Sequence, residues 1–88
     1  MSENASKPAV SYYGADWCTD CRRSKALLKS VGVEYVENNV EHSAELAAEA
    51  EALAGRKNIP VIAFADGEVL VEPTDAALSE ALRSRNLI

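Results

Sequence analysis

The length, composition and charge of the chain exclude several classes of protein. The chain has 88 residues, 48% of them hydrophobic, which suffices for one small domain over residues 1–88 with a thin core. None of its apolar runs approaches the roughly 20 residues that span a bilayer. A net charge of −5 repels the phosphates of nucleic acids. We therefore expect a soluble monomer that binds neither membranes nor nucleic acid.

The N-terminal segment, residues 1–7, is short and polar. It has neither the apolar block nor the small-residue cleavage site of a secretory signal peptide. We expect these residues to form a flexible tail and the protein to act in the cytoplasm.

The first half of the chain predicts a strand, a helix and a second strand. Residues 9–13 are β-branched and aromatic, which is typical of a strand. The helix starts at Cys18, has apolar positions spaced by three and four, and stops at Gly32. Residues 33–40 then predict the second strand. Turns this short favour a right-handed parallel crossover, which places both strands in one sheet.

The second half of the chain predicts a helix, a hairpin and a last helix. Asp66 and Gly67 form a strong signal for the hairpin turn, and Thr74 or Asp75 is expected to cap the last helix. The predicted extents are 43–54 for the first of these helices, 59–65 and 68–72 for the hairpin strands, and 76–85 for the last helix. Pro60 cannot donate a ladder hydrogen bond, so it belongs at a strand start, and base rates favour a trans peptide bond before it.

The only cysteines of the chain, Cys18 and Cys21, form a Cys-x-x-Cys pair. Two thiols on the first turn of a helix allow one to attack a foreign disulfide and the other to resolve the product. The unpaired N–H groups and positive dipole end of a helix start favour a thiolate on Cys18. The pair therefore indicates a thiol-disulfide oxidoreductase. The alternatives are a local disulfide without a redox role and half of a zinc site. Zinc needs four ligands, and besides the two cysteines the chain offers only His42.

The residues around the pair have both structural and functional interpretations. Arg22, Arg23 and Lys25 form either a solvated helix face or a positive field that supports the thiolate, whereas the charge of Asp20 opposes it. Trp17 either shields the sulfurs and contacts a partner or simply packs. His42 is expected to flank or cap a helix start.

Two neighbouring tyrosines of the first strand are also informative. Because successive strand side chains point to opposite faces, Tyr12 and Tyr13 lie on opposite sides of the sheet. We expect one of them in the core and the other near the site or in solvent.

The order of the elements, with Cys-x-x-Cys at the first helix and a proline opening the third strand, resembles the minimal thioredoxin fold and specifically glutaredoxin. The resemblance covers about residues 9–85, and the segments 40–42, 59–61, 64–67 and 72–73 are similar to mycoredoxins, the actinobacterial glutaredoxin-like proteins. It implies an α/β fold, β1α1β2α2β3β4α3, whose four-stranded mixed sheet has the order 2-1-3-4 and is flanked by three helices. It also implies a cis bond before Pro60, an exposed nucleophile Cys18 and a more buried Cys21.

The resemblance also implies a substrate and a set of binding residues. The substrates would be mixed disulfides between proteins and a low-molecular-weight thiol, and protein disulfides, with no tightly bound cofactor and no metal. The residues expected to contact the thiol or the substrate are Trp17, Thr19, Asp20, Ile59, Pro60, Thr74 and Asp75.

Two departures from typical glutaredoxins bear on the identity of the thiol. Thr19 and Asp20 replace the aromatic-containing pair between the cysteines, and Glu72 and Pro73 replace a Gly-Gly pair before the last helix. Both changes favour mycothiol over glutathione as the co-substrate, or electrons from a thioredoxin reductase or mycothione reductase.

Two other functions remain open from the sequence. One is an iron-sulfur carrier, in which Cys18 from two copies and two small thiols would hold a cluster. The other is an electron donor to a dedicated partner enzyme, itself reduced by thioredoxin reductase.

Overall fold

The computed structural model describes residues 8–88, so the tail expected over residues 1–7 lies outside the described residues. The strands are β1 (Val10–Gly14), β2 (Val36–Asn39), β3 (Val61–Phe64) and β4 (Val69–Val71). The helices are α1 (Thr19–Val31), α2 (Ala44–Ala54) and α3 (Asp75–Ser84). None of these helices is long and apolar enough to cross a membrane.

The four strands form one mixed sheet in the order β2-β1-β3-β4. β1 pairs in parallel with β2 and antiparallel with β3, and β3 pairs antiparallel with β4. The predicted topology is thereby confirmed. Because Tyr13 lies opposite Val61, the loop that leaves β1 toward the cysteines lies beside the segment that leads into β3.

Each face of the sheet packs against its own hydrophobic core, and successive side chains of β1 point alternately into the two cores. Tyr12 belongs to the cluster that also contains Cys21 and residues of α1 and α3, whereas Tyr13 packs with Ala50 of α2 and with Val61. The two tyrosines therefore lie on opposite faces, as predicted. Both are buried: Tyr12 lies in the core beneath the cysteines, while Tyr13 lies under α2 rather than in solvent.

Several predicted boundaries were wrong by one to three residues, each for a local reason. Cys18 is the N-cap of α1 and not its first helical residue, since its backbone is extended. The other two helix starts agree with the sequence: His42 flanks α2, which Ser43 caps, and Thr74, one of the two residues expected as the cap, caps α3. The predicted strand over residues 33–40 shortens to Val36–Asn39 because pairing with β1 begins only at Val36.

The hairpin strands and the last helix are shifted in the same way. β3 and β4 are shorter than the predicted 59–65 and 68–72. Glu72 ends β4 with a positive φ of 51°, a conformation that a regular strand does not contain. The last helix runs one residue earlier than the predicted 76–85 at both ends.

Candidate active site

Cys18 occupies the capping position of α1, and its sulfur takes the place of a capping oxygen. With φ of −84° and ψ of 119°, its side chain turns back over the first turn and accepts a hydrogen bond from the backbone N–H of Cys21, at 3.2 Å. The first N–H groups of a helix have no partner within the helix, and they favour an anion. The sulfur of Cys18 therefore lies where the N–H groups of the first helical turn are directed.

Cys21 lies inside the first turn of α1 and differs from Cys18 in its environment. Its side chain is fully buried, and Cys18, which the resemblance implied to be exposed, is also buried, with 9% of its surface exposed. Burial, together with the hydrogen bond to Cys18, raises the pKa of Cys21 to about 12. Both cysteines are free thiols. The pair is thus asymmetric, with the more accessible sulfur at the helix cap and a protonated thiol behind it.

The Ile59–Pro60 segment leads into β3 on the side of the sheet where β1 ends. The peptide bond between them is cis, as the family resemblance implied and against the base rate for such bonds. Ile59 packs on the cluster that contains both cysteines. The carbonyl of the buried Pro60 accepts a hydrogen bond from the Glu72 N–H at 2.8 Å. The structure therefore places Ile59 against the core cluster that includes both cysteines, with Pro60 next to it in the chain.

Arg23 joins the start of α1 to the loop that precedes α3. Its guanidinium donates to Asp20 Oδ1 at 3.1 Å, to Asp75 Oδ1 at 3.2 Å and to the Pro73 carbonyl at 3.1 Å. The sequence predicted Asp20, Thr74 and Asp75 separately as site residues. Arg23, which sequence reasoning did not place among them, connects them into one region. The spacing of Asp20 and Arg23 is a signal for an ion pair within a helix, but nothing in the sequence indicates Asp75.

The predicted thiol-binding side chains at the start of α3 already have partners within the chain. Thr74 Oγ1 accepts a hydrogen bond from the Ala77 N–H at 3.0 Å as the cap of α3, and Asp75 is paired with Arg23. Both residues are exposed at the surface, as is Thr19 between the cysteines. The guanidinium charge of Arg23 is thus shared between two carboxylates, those of Asp20 and Asp75.

Trp17 lies on the surface immediately before Cys18 and is not a core residue. It is 65% exposed, and its indole N–H donates to the carboxylate of Glu41 in the turn after β2. Simple packing, one of the two interpretations from sequence, therefore does not describe it. The ring remains available to a bound molecule.

The other basic residues and His42 have ordinary surface roles. Lys25 forms an ion pair of 2.7 Å with Glu37 of β2, which raises the pKa of Lys25. Arg22 and His42 are exposed. Among residues 8–88, no group of three or more His, Cys, Asp or Glu side chains could hold a metal ion.

An open groove of about 400 Å³ extends from Ile59 along α2. Its apolar wall is formed by small side chains of α2, and two cations from the following loop also line it. The residues concerned are Ala44, Ala47, Ala48, Arg56 and Lys57. The groove continues the surface beside the cis proline.

Comparisons with known proteins agree with this arrangement. The family model for glutaredoxin matches residues 10–70. A protein of Mycobacterium tuberculosis named as a glutaredoxin is 31% identical over 67 residues, which cover 75% of this chain and 80% of that protein.

Solved structures show the same fold. A glutaredoxin from Archaeoglobus fulgidus superposes with a TM-score of 0.80 at 20% identity, over 90% of each chain. The glutaredoxin of a buckwheat glutaredoxin-glutathione complex superposes with a TM-score of 0.66 at 17% identity, over 91% of this chain and 73% of that one. Since the family model spans more than half of the chain, from the first strand into the last, the chain belongs to the glutaredoxin family of thiol-disulfide oxidoreductases.

Proposed function

We propose that this glutaredoxin reduces mixed disulfides between proteins and a low-molecular-weight thiol, with Cys18 as the nucleophile and mycothiol as the thiol. The observation that carries the proposal is the capping geometry of Cys18. Its sulfur accepts the Cys21 N–H at 3.2 Å and is the more exposed of the two. Thiolates, not thiols, attack disulfides, so the sulfur that lies at the helix start and is the more exposed of the pair is the one to react.

The reaction on a mixed disulfide needs only Cys18. Its thiolate attacks the small-thiol sulfur, a new bond forms between that sulfur and Cys18, and the protein leaves as a thiolate that takes a proton from water. A second small thiol, as its thiolate, then attacks the sulfur of the small thiol bound to Cys18. The products are the small-thiol disulfide and a free Cys18 thiolate, so two electrons pass to the protein substrate.

The reaction on a protein disulfide needs both cysteines. After Cys18 has formed a disulfide with one substrate sulfur, Cys21 attacks Cys18 and the substrate leaves with both of its thiols reduced. The internal Cys18–Cys21 disulfide that remains must then be reduced by the small thiol or by a reductase. We place this chemistry in the cytoplasm, where reductases and small thiols maintain a reducing pool.

The choice of mycothiol rests on charge. Glutathione is an anion at neutral pH, whereas mycothiol is a neutral sugar conjugate. The chain has a net charge of −5, and the carboxylate of Asp75 is engaged by Arg23, which weakens its attraction for the ammonium group of glutathione. Both features favour the neutral thiol.

The test supplies oxidised protein separately with mycothiol, glutathione, or thioredoxin reductase and NADPH, and measures the free thiols that appear. We expect mycothiol to restore them fastest at equal thiol concentration. Equal or faster recovery with glutathione would contradict the choice of mycothiol. Recovery with the reductase alone would instead identify the protein as an electron donor fed by thioredoxin reductase.

A further inference from the structure

Beneath Cys21 lies a tyrosine hydroxyl that the reaction described above does not use. Tyr12 on β1 is 2% exposed, and its Oη donates a hydrogen bond to the backbone carbonyl of Cys21 at 3.3 Å. Its ring packs edge to face against Tyr35, with the centroids 6.2 Å apart. The phenol is therefore held rigidly against the first turn of α1.

Gly14 brings the hydroxyl and the sulfur of Cys21 toward the same point. A Cβ on Gly14 would lie 2.3 Å from Tyr12 Oη and 3.0 Å from Cys21 Sγ, so both groups occupy the volume that a side chain would need. Any larger residue here would displace the buried phenol or the thiol. The missing side chain is what allows the hydroxyl to approach Cys21.

We propose that the Tyr12 hydroxyl is the hydrogen-bond donor for the Cys21 thiolate in the dithiol reaction. The proposal rests on the proposed function, because it concerns the resolving step of that chemistry. It assigns no role to Tyr12 when a mixed disulfide is reduced through Cys18 alone.

The environment of Tyr12 keeps its hydroxyl protonated, so the group acts as a donor and not as a base. Burial raises the pKa of Tyr12 well above its ordinary range, and the nearby charges on Cys21, Glu37 and Cys18 act in the same direction. Of these groups, Glu37 on β2 is itself paired with Lys25. The Tyr12 hydroxyl lowers the pKa of the Cys21 thiol, against the larger effect of burial, which raises it.

The need for a donor follows from where charge develops. In the resolving step the Cys21 thiolate attacks Cys18, the bond between the two cysteines forms, and the substrate sulfur leaves as a thiolate. In the reverse direction an external thiolate attacks Cys18 and Cys21 leaves with the electron pair of the broken disulfide. Both steps place a negative charge on a fully buried sulfur. The hydroxyl has one proton, which it can turn from the Cys21 carbonyl to this sulfur.

The test compares Tyr12→Phe with Tyr13→Phe, which removes a hydroxyl from the opposite face of the sheet, where it donates to Glu49 at 2.9 Å. The oxidised proteins are reduced with dithiothreitol, and the appearance of the Cys21 thiol is followed over a range of pH. We expect Tyr12→Phe to slow this step about ten- to hundredfold, the effect of losing a hydrogen bond to a charged group. Tyr13→Phe should change it less than about twofold.

A second comparison separates chemistry from a structural effect. In a Cys21→Ser background, reduction of a mixed disulfide depends on Cys18 alone, so adding Tyr12→Phe should leave its rate unchanged. Equal reduction rates for Tyr12→Phe and Tyr13→Phe would overturn the proposal, as would an equal loss in the Cys21→Ser background. If the wild-type protein reduces no mixed disulfide, the proposed function fails, while the reduction of the internal disulfide by dithiothreitol still tests Tyr12.

Discussion

At the scale of single residues, Arg23 organises the charges around the nucleophile. Each of its ion pairs, with Asp20 and Asp75, is more than two-fifths exposed on both sides, and a pair of this kind contributes about 0–1 kcal/mol. Arg23 therefore contributes little to the stability of the fold, and its main effect is on the charges near Cys18. It offsets part of the negative charge of Asp20, which lies between the cysteines and opposes a negative charge on Cys18.

This balance predicts opposite effects for two substitutions. Arg23→Met leaves Asp20 unbalanced and should slow alkylation of Cys18 by iodoacetamide at neutral pH about two- to fivefold, in line with the small free energy of an exposed pair. Asp20→Asn should accelerate it, and the double variant should return close to the wild-type rate. Arg83→Met, which removes an exposed pair with Glu80 on α3, is the matched control. A wild-type rate for Arg23→Met would show that these charges do not reach the sulfur.

The site residues differ in how well the nearby sequence predicts their positions. The spacing of Cys18 and Cys21 and their place at a helix start predicted their positions, since these depend on one turn of backbone. Ile59 and Pro60 followed only from the family resemblance. Arg23 was missed as an organising residue because Pro73 and Asp75 lie 50 and 52 residues away along the chain, and no local pattern records such a contact.

At the scale of the elements, α1 contains one feature that does not serve its stability. Ser24 is fully buried, and among residues 8–88 its Oγ is the buried side-chain polar atom without a hydrogen-bond partner. A buried unpaired hydroxyl costs about 1–3 kcal/mol, and serine is also a weaker helix former than alanine.

Ser24→Ala should therefore stabilise the protein by about 0.5–2 kcal/mol, from the relief of the unpaired hydroxyl and the better helix propensity. Urea unfolding measures the change in the free energy of unfolding. Ser30→Ala on the same helix is the control, since that hydroxyl is exposed and donates to the Leu27 carbonyl at 3.0 Å. A loss of stability in Ser24→Ala, beyond that in Ser30→Ala, would mean that the Ser24 hydroxyl has a partner in solution.

Helix ends were easier to predict than strand ends, for a physical reason. A helix end depends on its own residues: Gly32 ends α1 in the left-handed conformation at φ of 79°, and Thr74 caps α3 through its own side chain. A strand ends where its partner stops pairing. Residues 33–35 alternate suitably, yet β2 starts at Val36 because its pairing with β1 begins only at Ser11 and Val36.

At the scale of the whole molecule, the sheet separates two cores and each holds a tyrosine with an unusual pKa. Burial raises the pKa of Tyr13 from 10 to about 12, with the Glu49 hydrogen bond adding to it, and burial likewise raises the pKa of Tyr12 and Tyr35. The order of the elements followed from periodicity. The strand order followed only from the family resemblance, because the sequence pattern does not show at which edge of the sheet a later strand pairs.

The tyrosines predict an alkaline limit to stability. The folded protein holds the Tyr13 proton more tightly than the unfolded chain does. Tyr13 therefore contributes to the free energy of unfolding below pH 10, and this contribution is lost as the pH rises to about 12. We expect the tyrosinate absorbance and the loss of helical circular dichroism to rise together above pH 10. Tyr13→Phe should flatten this pH dependence. Tyrosinate absorbance that develops at pH 10 while the fold remains intact would contradict the prediction.

The central claim, that Cys18 attacks and Cys21 resolves, is tested most directly by mapping the covalent adduct. Cys18→Ser and Cys21→Ser variants are each incubated with the symmetrical disulfide of mycothiol, and in parallel with that of glutathione, and intact-mass and peptide mass spectrometry locate the adduct. We predict one small-thiol adduct on Cys18 in the Cys21→Ser variant, which stays active on mixed disulfides, and no rapid adduct in the inactive Cys18→Ser variant. A rapid adduct on Cys21, or activity without Cys18, would contradict the account.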